Sequence, residues 1–285
     1  MSRKWLFVGL GLLALALPLY FSGHALWSAN KELAPHHLAV PPAPVGHEAI
    51  TFQTKDGLTL HGWLHQGDNR ALVVLAHGHE QTRVDHLPEA TALEARGFST
   101  LLFDLRAHGE SQGELSMLGD KERLDVAAAI DAGLARTHAE RLGLFGFSIG
   151  GVAVQDVAWH DERVRAVVDV APDPDVRRGL LSDFGRWGPL SQLPALHVAE
   201  HHGVDLAAGH WNEALPVLAR RGLLLIIGSR EFDMELNRGL LQEAAAAGAE
   251  TWEVEGAQHG EYAKIAPQAY PARVADFFER HLGVP

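Results

Sequence analysis

Cysteine is absent from this chain of 285 residues. Its absence excludes disulfide bonds, zinc sites held by thiolates and catalysis by a thiol. It does not identify a cellular compartment, because many exported bacterial proteins also lack disulfides. The pattern His-Glu-x-x-His is absent too, although the chain contains 18 histidines, so that motif of zinc-dependent hydrolases is excluded.

Positive charge is scarce in the sequence. There are 24 lysines and arginines against 36 aspartates and glutamates, which gives a net charge of −12 with the histidines neutral. An acidic balance argues against a nucleic-acid-binding surface, so no nucleic-acid partner is expected. Apolar residues make up 47% of the chain. That share is enough for a substantial core, so disorder is not the expected state.

Charged residues are missing from a long stretch near the N-terminus. Arg3 and Lys4 precede an uncharged segment that runs from Trp5 to Trp27, about the length that spans a bilayer. A cleaved signal peptide and an uncleaved anchor are both open interpretations, and the length of the segment favours the anchor. In either case we expect the rest of the chain outside the cytoplasm, anchored in the inner membrane or secreted after cleavage.

The chain divides by composition into three parts. We assign residues 1–30 to the anchor or signal peptide and residues 31–46, which are rich in proline, to a linker. Residues 47–285 form the predicted domain. Within it, residues 172–221 interrupt the regular pattern and are interpreted as a small helical cap over the site.

The domain alternates short apolar runs with helical patterns. The runs at 71–77, 98–104, 141–147 and 222–229 predict buried strands. Such alternation is typical of an α/β fold, here a mostly parallel, twisted sheet of about eight strands with helices on both faces. Ligands of such sheets bind at the carboxyl ends of the strands.

A single serine stands where one predicted strand meets a helix. The segment GLFGFSIGG (143–151) places Ser148 between Gly146 and Gly150. This Gly-x-Ser-x-Gly pattern after a strand is typical of a nucleophile held on a tight turn. The N–H of Ile149, at the start of the following helix, is then a predicted donor to an oxyanion. An ordinary turn that happens to contain serine is the simpler alternative.

A second donor and a base are predicted from two other loops. In LAHGHE, Gly78 allows a turn near the substrate and the N–H of His79 is the second predicted donor. The His79 side chain has three open interpretations: incidental, a metal ligand, or exposed surface. In EGAQHGEYA, His259 follows the last predicted strand and is the predicted base.

Three carboxylates are candidates for the acid that orients the base. Glu231 and Asp233 follow the run at 222–229, and Asp173 follows the preceding strand. All three satisfy the chain order serine, acid, histidine, so order does not discriminate among them.

Neither a metal nor a cofactor is predicted. The densest histidine cluster, HGHEQTRVDH (77–86), has Asp85 and His86 too far from the first two histidines for a compact ligand set. The histidine pairs at 36–37 and 201–202 are interpreted as solvated surface.

Taken together, these segments resemble the α/β-hydrolase family over residues 47–283. HGH resembles its oxyanion turn, GFSIGG its nucleophile elbow and GAQHG its histidine loop. FDLRAHGESQG resembles a segment that is usually structural in the family, formed here by Asp104, Arg106, His108, Gly109 and Ser111. The family commonly has Gly-x-x-Asp after the run at 222–229. GSRE puts glutamate at that place, so the resemblance implies Glu231 as the acid.

The resemblance is nearest to bacterial membrane-anchored serine hydrolases of the esterase, lipase and peptidase-like group. It implies hydrolysis of a small-molecule ester, thioester or amide without a cofactor. A non-catalytic scaffold that binds a ligand or partner at the membrane, and an acyltransferase, are the alternatives. Phe184, Trp187 and Trp211 could line an acyl pocket, although aromatic residues in short helices more often form the core of a cap.

Overall fold

A computed structural model defines the fold. It describes residues 33–172, 177–178, 193–206 and 210–283, and single positions between residues 19 and 31. Residues 1–18, which hold most of the predicted anchor or signal peptide, lie outside the described residues, as do Asp173, Phe184 and Trp187. Within the described part of the chain, no helix has both the length and the apolar character needed to cross a membrane.

An eight-stranded sheet forms the centre of the domain. Its strands are β1 (His47–Gln53), β2 (Thr59–His65), β3 (Ala71–Ala76), β4 (Ser99–Phe103), β5 (Arg141–Phe147), β6 (Val164–Val170), β7 (Leu223–Gly228) and β8 (Glu250–Val254). The spatial order is β1-β2-β4-β3-β5-β6-β7-β8. Only the pairs β1–β2 and β2–β4 are antiparallel in this sheet. The predicted α/β fold with a mostly parallel sheet is therefore confirmed.

Helices cover both faces of the sheet. The described helices are α1 (Leu87–Glu94), α2 (Glu122–Arg136), α3 (Ile149–His160), α4 (Leu193–His201), α5 (Trp211–Arg221), α6 (Met234–Ala246), α7 (Tyr262–Ile265) and α8 (Ala269–Leu282). Helices α2, α3, α5 and α6 contribute to the core on one face, while α1, α7 and α8 contribute to the other.

Strand β3 shows why the short apolar runs fold as they do. Every residue of β3 is buried. Since side chains alternate along a strand, Leu72 and Val74 enter the core on one face while Val73 and Leu75 enter the core on the other. Burial of each such side chain contributes about 1.5–3 kcal/mol. A continuous apolar run is thus what a central parallel strand requires.

The first described part of the predicted linker packs against the domain. Leu33 is buried in a small cluster with Met117, Leu118 and Leu196 of helix α4. The backbone N–H of His36 donates to the carbonyl of Ala107 at 2.6 Å. The chain therefore reaches the carboxyl edge of the sheet before it enters β1, which its proline content did not indicate.

Candidate active site

Ser148 lies on a strained turn between β5 and α3. Its backbone has φ +54° and ψ −119°, a conformation that costs of order 1–3 kcal/mol in a residue other than glycine. A Cβ at Gly146 would lie 2.5 Å from the carbonyl oxygen of Gly150, and one at Gly150 would lie 2.5 Å from that of Ala76. Both glycines are therefore required by the close approach of backbone to backbone.

His259 meets Ser148 from a different loop. The distance from His259 Nε2 to Ser148 Oγ is 3.1 Å. His259 lies between β8 and α7, in a loop where Gly256 and Gly260 have positive φ values of 81° and 78°. The ring packs against Phe147, with 4.8 Å between the ring centroids. This contact and the turn geometry hold the imidazole within proton-transfer distance of the hydroxyl.

Glu231 holds the other side of the imidazole. Its Oε2 lies 2.8 Å from His259 Nδ1, and the carboxylate is buried, with 2% of the side chain exposed. The Tyr262 hydroxyl donates to Oε1, the second oxygen of the same carboxylate. Burial and the adjacent Glu231 carboxylate raise the pKa of the Tyr262 hydroxyl, which therefore stays a donor. Both carboxylate oxygens thus have hydrogen-bond donors, one of which is the histidine.

Of the other two candidate acids, one has a different role and one is not described. Asp233 is the N-cap of helix α6, since its Oδ1 accepts a hydrogen bond from the Leu236 N–H at 3.0 Å. Its other oxygen lies 3.2 Å from a guanidinium nitrogen of Arg178. Asp173 lies outside the described residues. Glu231 is therefore the predicted acid that the structure brings to His259.

The turn that carries His79 is fixed on both sides. His77 donates from Nδ1 to the Gly78 carbonyl at 2.7 Å, and its Nε2 accepts from the Leu105 N–H at 3.0 Å. The Gly78 N–H donates to Gln81 Oε1 at 2.9 Å. A Cβ at Gly78 would lie 2.6 Å from the Phe147 ring. The turn therefore needs glycine at position 78, where it passes Phe147 at the end of β5.

The two predicted oxyanion donors occupy the expected elements. Ile149 is the first residue of α3, and amide groups in the first turn of a helix have no partner within the helix. His79 directly follows Gly78 at the carboxyl end of β3. The role of these two N–H groups toward an oxyanion stays a prediction.

The Asp104–Ser111 segment stabilises the carboxyl edge of the sheet. Asp104 is buried and accepts from the Arg83 backbone N–H at 2.8 Å and from its guanidinium. Arg106 contacts the buried Asp125 carboxylate with Nη2 at 2.7 Å. Ser111 Oγ donates to the Asp104 carbonyl at 2.7 Å. These bonds are internal to the protein, in keeping with the structural role that the resemblance implies.

Sequence reasoning missed Tyr262, and of its two open interpretations of Trp211 the structure favours a buried residue. Tyr262 is three residues after His259, but nothing in that spacing indicates that its hydroxyl reaches Glu231. Trp211 is buried against the sheet, and its Nε1 donates to Glu243 at 2.9 Å. It lines a cavity of about 740 Å³ between α5 and α6, whose lining includes neither Ser148 nor His259.

The fold and the site geometry define a class of protein. A strand–serine–helix turn sits in a mostly parallel eight-stranded sheet, and a histidine and a glutamate from later loops meet at the serine. Residues 67–208 match the family model described as serine aminopeptidase, S33. The chain belongs to the α/β-hydrolase family.

Individual relatives are similar over part of their length. The chain is 33% identical over 135 residues to the uncharacterized protein YfhR of Escherichia coli K12, an alignment that covers 45% of this chain and 48% of YfhR. It is 33% identical over 133 residues to the thiohydrolase aneE of Aspergillus aculeatus, covering 44% of this chain and 42% of aneE. The matched region thus spans about half the length of these curated relatives.

A solved structure extends the likeness to most of the chain. The Pyrococcus furiosus esterase Pf2001 superposes with a TM-score of 0.67 at 23% identity, over 86% of this chain and 99% of that one. At this identity the likeness shows the shared fold.

Proposed function

We propose that this protein is a serine hydrolase that cleaves a carboxylic ester or thioester through an acyl-enzyme. The observation that carries the proposal is the chain of hydrogen-bonding distances from Ser148 to His259 (3.1 Å) and from His259 to Glu231 (2.8 Å). A nucleophile, a base and an orienting acid at these distances are the parts that acyl transfer requires.

In the proposed reaction His259 is the base. Its Nε2 accepts the Ser148 proton as Oγ attacks the carbonyl carbon of the substrate. Glu231 stabilises the imidazolium cation and holds Nδ1 protonated. The imidazolium then donates its proton to the leaving group, and the acyl group remains on Oγ. In the second half of the reaction water attacks that acyl group, with His259 again acting as base.

The oxyanion of each tetrahedral intermediate needs donors that are already in place. We assign this role to the N–H groups of Ile149 and His79. The N-terminus of α3 adds a favourable dipole at the same point. Loss of one such donor in other hydrolases slows turnover by about 100- to 1,000-fold.

Two observations support an ester or thioester as the substrate class. The names of the similar proteins include an esterase and a thiohydrolase. Phe232 is 86% exposed, and its ring centroid lies 5.7 Å from that of His259. An apolar ring beside the reacting groups suits an acyl or leaving group with apolar character. Turnover of p-nitrophenyl esters of graded chain length, acyl thioesters and aminoacyl amides measures this preference.

Ser148→Ala tests the mechanism. The variant should lose ester hydrolysis and labelling by a fluorophosphonate probe while its thermal unfolding stays close to that of the wild type. Ser116→Ala is the matched control, because Ser116 is buried and its hydroxyl has no hydrogen-bond partner among the described residues. Turnover by the Ser148 variant at the wild-type rate would refute the mechanism.

We also propose that residues 1–30 attach the domain to the outer side of the inner membrane. Two basic residues before the uncharged stretch from Trp5 to Trp27 support this orientation. Protease added to spheroplasts should then degrade the domain, and the protein should remain with membranes after alkaline extraction. Full protection in intact spheroplasts would contradict the proposal.

A further inference from the structure

Histidine and glutamate side chains form two compact groups that include none of Ser148, His259 and Glu231. In the described part of the chain, His36, His79 and Glu80 bring three ligand atoms within 4.8 Å of one another. His47, His65 and Glu94 do the same at the other end of the sheet. Imidazole nitrogens and carboxylate oxygens are ligands that divalent transition metals share.

The second group is explained by ordinary hydrogen bonds. His47 Nε2 lies 3.0 Å from Glu94 Oε1, and the same oxygen accepts from Thr100 Oγ1 at 2.6 Å. His65 Nδ1 lies 3.1 Å from the Gly46 carbonyl. The Glu94 carboxylate therefore already has an imidazole and a hydroxyl as partners. We do not propose a metal site at His47, His65 and Glu94, and we use this group as a control.

The first group joins two distant parts of the chain. His36 comes from the N-terminal segment, where its backbone is held between Ala107 and Gly109. His79 and Glu80 come from the turn after β3. The two imidazoles lie with 4.5 Å between their ring centroids, nearly perpendicular at 79°. Both rings are half-buried, and the Nε2 atom of His36 is shielded from solvent.

A buried imidazole beside the group has an unused nitrogen. His108 is fully buried, and its Nδ1 donates to the Arg106 carbonyl at 2.8 Å. Its Nε2 has no hydrogen-bond partner among the described residues. The His108 ring centroid lies 5.3 Å from that of His36 and 5.8 Å from that of His79. A buried polar atom without a partner costs about 1–3 kcal/mol, and a metal or its bound water would satisfy this one.

The backbone at Glu80 is held in an unfavourable conformation. Its φ is +56°, in the left-handed region that a residue with a side chain rarely adopts. Its carboxylate is 3.3 Å from Lys31 Nζ, with about half of each side chain exposed. Exposed ion pairs of this kind contribute about 0–1 kcal/mol. A divalent cation would therefore displace the ammonium group at little cost.

We propose that His36, His79 and Glu80 bind one divalent transition-metal ion, with Zn²⁺ as the best match to two imidazoles and one carboxylate. Zinc sites of this composition leave a fourth position open to water. Tetrahedral ligand atoms about 2.0 Å from zinc lie about 3.3 Å apart. The three ligand atoms lie within 4.8 Å of one another, so zinc binding requires them to move closer together.

The proposed site is next to the reaction centre but takes no part in the acyl transfer. Its ligand His79 is the residue whose backbone N–H we assign to the oxyanion. A bound ion would link the N-terminal segment to this turn and hold it in place. We therefore expect metal to raise the melting temperature by several degrees, because a ligand that binds only the folded state stabilises it.

Zinc binding by the full-length protein tests the proposal. Protein stripped with a chelator is titrated with Zn²⁺ in competition with a chelating dye. The wild type should bind one equivalent at least tenfold more tightly than either His36→Gln or Glu80→Gln. His37→Gln, at an exposed neighbour of His36, and His65→Gln, in the second group, should keep wild-type affinity.

Two further readouts separate ligand loss from misfolding. Without metal, all four variants should unfold within a few degrees of the wild type, and only the wild type and the two controls should gain stability with Zn²⁺. Substitution by Co²⁺ should give intense visible absorption that is lost in His36→Gln. Equal affinity of wild type, His36→Gln and Glu80→Gln, or a loss confined to His65→Gln, would overturn the proposal.

Discussion

At the scale of single residues, the site depends on a buried carboxylate with two hydrogen-bond donors. Glu231 accepts from His259 at one oxygen and from Tyr262 at the other. In the proposed mechanism the histidine bond orients the base, whereas the tyrosine bond satisfies the oxygen that would otherwise be buried alone. Loss of the Glu231–His259 contact should mainly lower activity, whereas loss of the Tyr262–Glu231 contact should mainly lower stability. The two roles can therefore be tested separately.

Glu231→Gln should lower kcat/KM by about 100- to 10,000-fold, because an amide neither fixes the proton on Nδ1 nor stabilises the imidazolium. Asp233→Asn should stay within about threefold of wild type, since asparagine is as good an N-cap as aspartate. Steady-state kinetics with one p-nitrophenyl ester measures both variants. A larger loss in the Asp233 variant would transfer the role of acid to that residue.

Tyr262→Phe should lower the free energy of unfolding by about 1–3 kcal/mol, because one oxygen of the buried Glu231 loses its donor. It should also slow turnover, since the carboxylate that orients His259 is less firmly held. Tyr270→Phe is a matched control. Tyr270 is buried, its ring stacks on that of Tyr262, and burial and the nearby Glu89 carboxylate raise the pKa of its hydroxyl. We expect this control to lose stability in urea unfolding but to keep wild-type kcat.

Sequence alone could predict that Ser148 and His259 lie at the same edge of the sheet, because glycines mark both turns and their order along the chain is informative. Chain order alone could not choose between Glu231 and Asp233, since a loop can present either one, whereas the family resemblance implies Glu231. Tyr262 was beyond prediction for a related reason. Its partner Glu231 is 31 residues earlier, and only the packing of α7 against the sheet brings the two together.

At the scale of elements, the turn from β5 to α3 that carries Ser148 is possible only because Gly146 and Gly150 have no side chain. Strand β5 and helix α3 approach so closely that no side chain fits at Gly146 or Gly150. The continuous apolar runs and the helical periodicity predicted most strands and helices. They could not predict that β4 lies between β2 and β3, because burial patterns do not say which strands are neighbours.

Gly146→Ala should destabilise the protein by about 1–3 kcal/mol, because its Cβ would lie 2.5 Å from backbone and force the turn to move. Turnover should fall with it. Gly239→Ala is the control: it lies within α6, and a Cβ there meets nothing within 4 Å. That change should stabilise by about 0.5–1 kcal/mol through helix propensity. Thermal unfolding that ranks the two variants in the opposite order would contradict this account of the turn.

At the scale of the whole molecule, several carboxyl groups are buried in the core. Burial raises the pKa of Asp169 and of Glu122 to about 7, and that of Asp125 to about 6. Asp169 is fully buried at the end of β6, where Gln155 donates to one oxygen and the other has no partner among the described residues. The folded protein therefore keeps protons that the unfolded chain, with aspartate pKa values of about 3.9, releases.

This difference makes stability depend on pH. The contribution of Asp169 is fully present below the unfolded pKa of about 3.9 and is lost as pH rises toward its folded value of about 7. Asparagine does not titrate. The stability of Asp169→Asn relative to wild type should therefore increase between pH 4 and 7, by on the order of a few kcal/mol, and level off above pH 7.

Asp161→Asn should show the opposite slope, and only below the unfolded aspartate pKa of about 3.9, in urea titrations extended to lower pH. Hydrogen bonds from Arg163 lower the pKa of Asp161. Its contribution is therefore present at neutral pH and is lost as pH falls. A pH-independent difference between Asp169→Asn and wild type would mean that the Asp169 carboxyl ionises alike in both states.

The N-terminal segment shows where composition misleads at this scale. Proline content suggested a linker, yet Leu33 is buried against Met117, Leu118 and Leu196. The sequence predicts solvated surface for the histidine pair at 36–37; His37 is exposed, but His36 packs against His79 and His108. Such contacts join segments that are far apart in the sequence, so only the folded chain reveals them.

The central claim is that Ser148 becomes covalently acylated, and peptide mapping by mass spectrometry tests it most directly. The protein is mixed with a p-nitrophenyl ester, quenched in acid during the steady state, digested and mapped. We expect the acyl mass on the peptide that contains Ser148, and its absence from that peptide in Ser148→Ala. Acylation at another residue that persists in Ser148→Ala, together with turnover by that variant, would contradict the account.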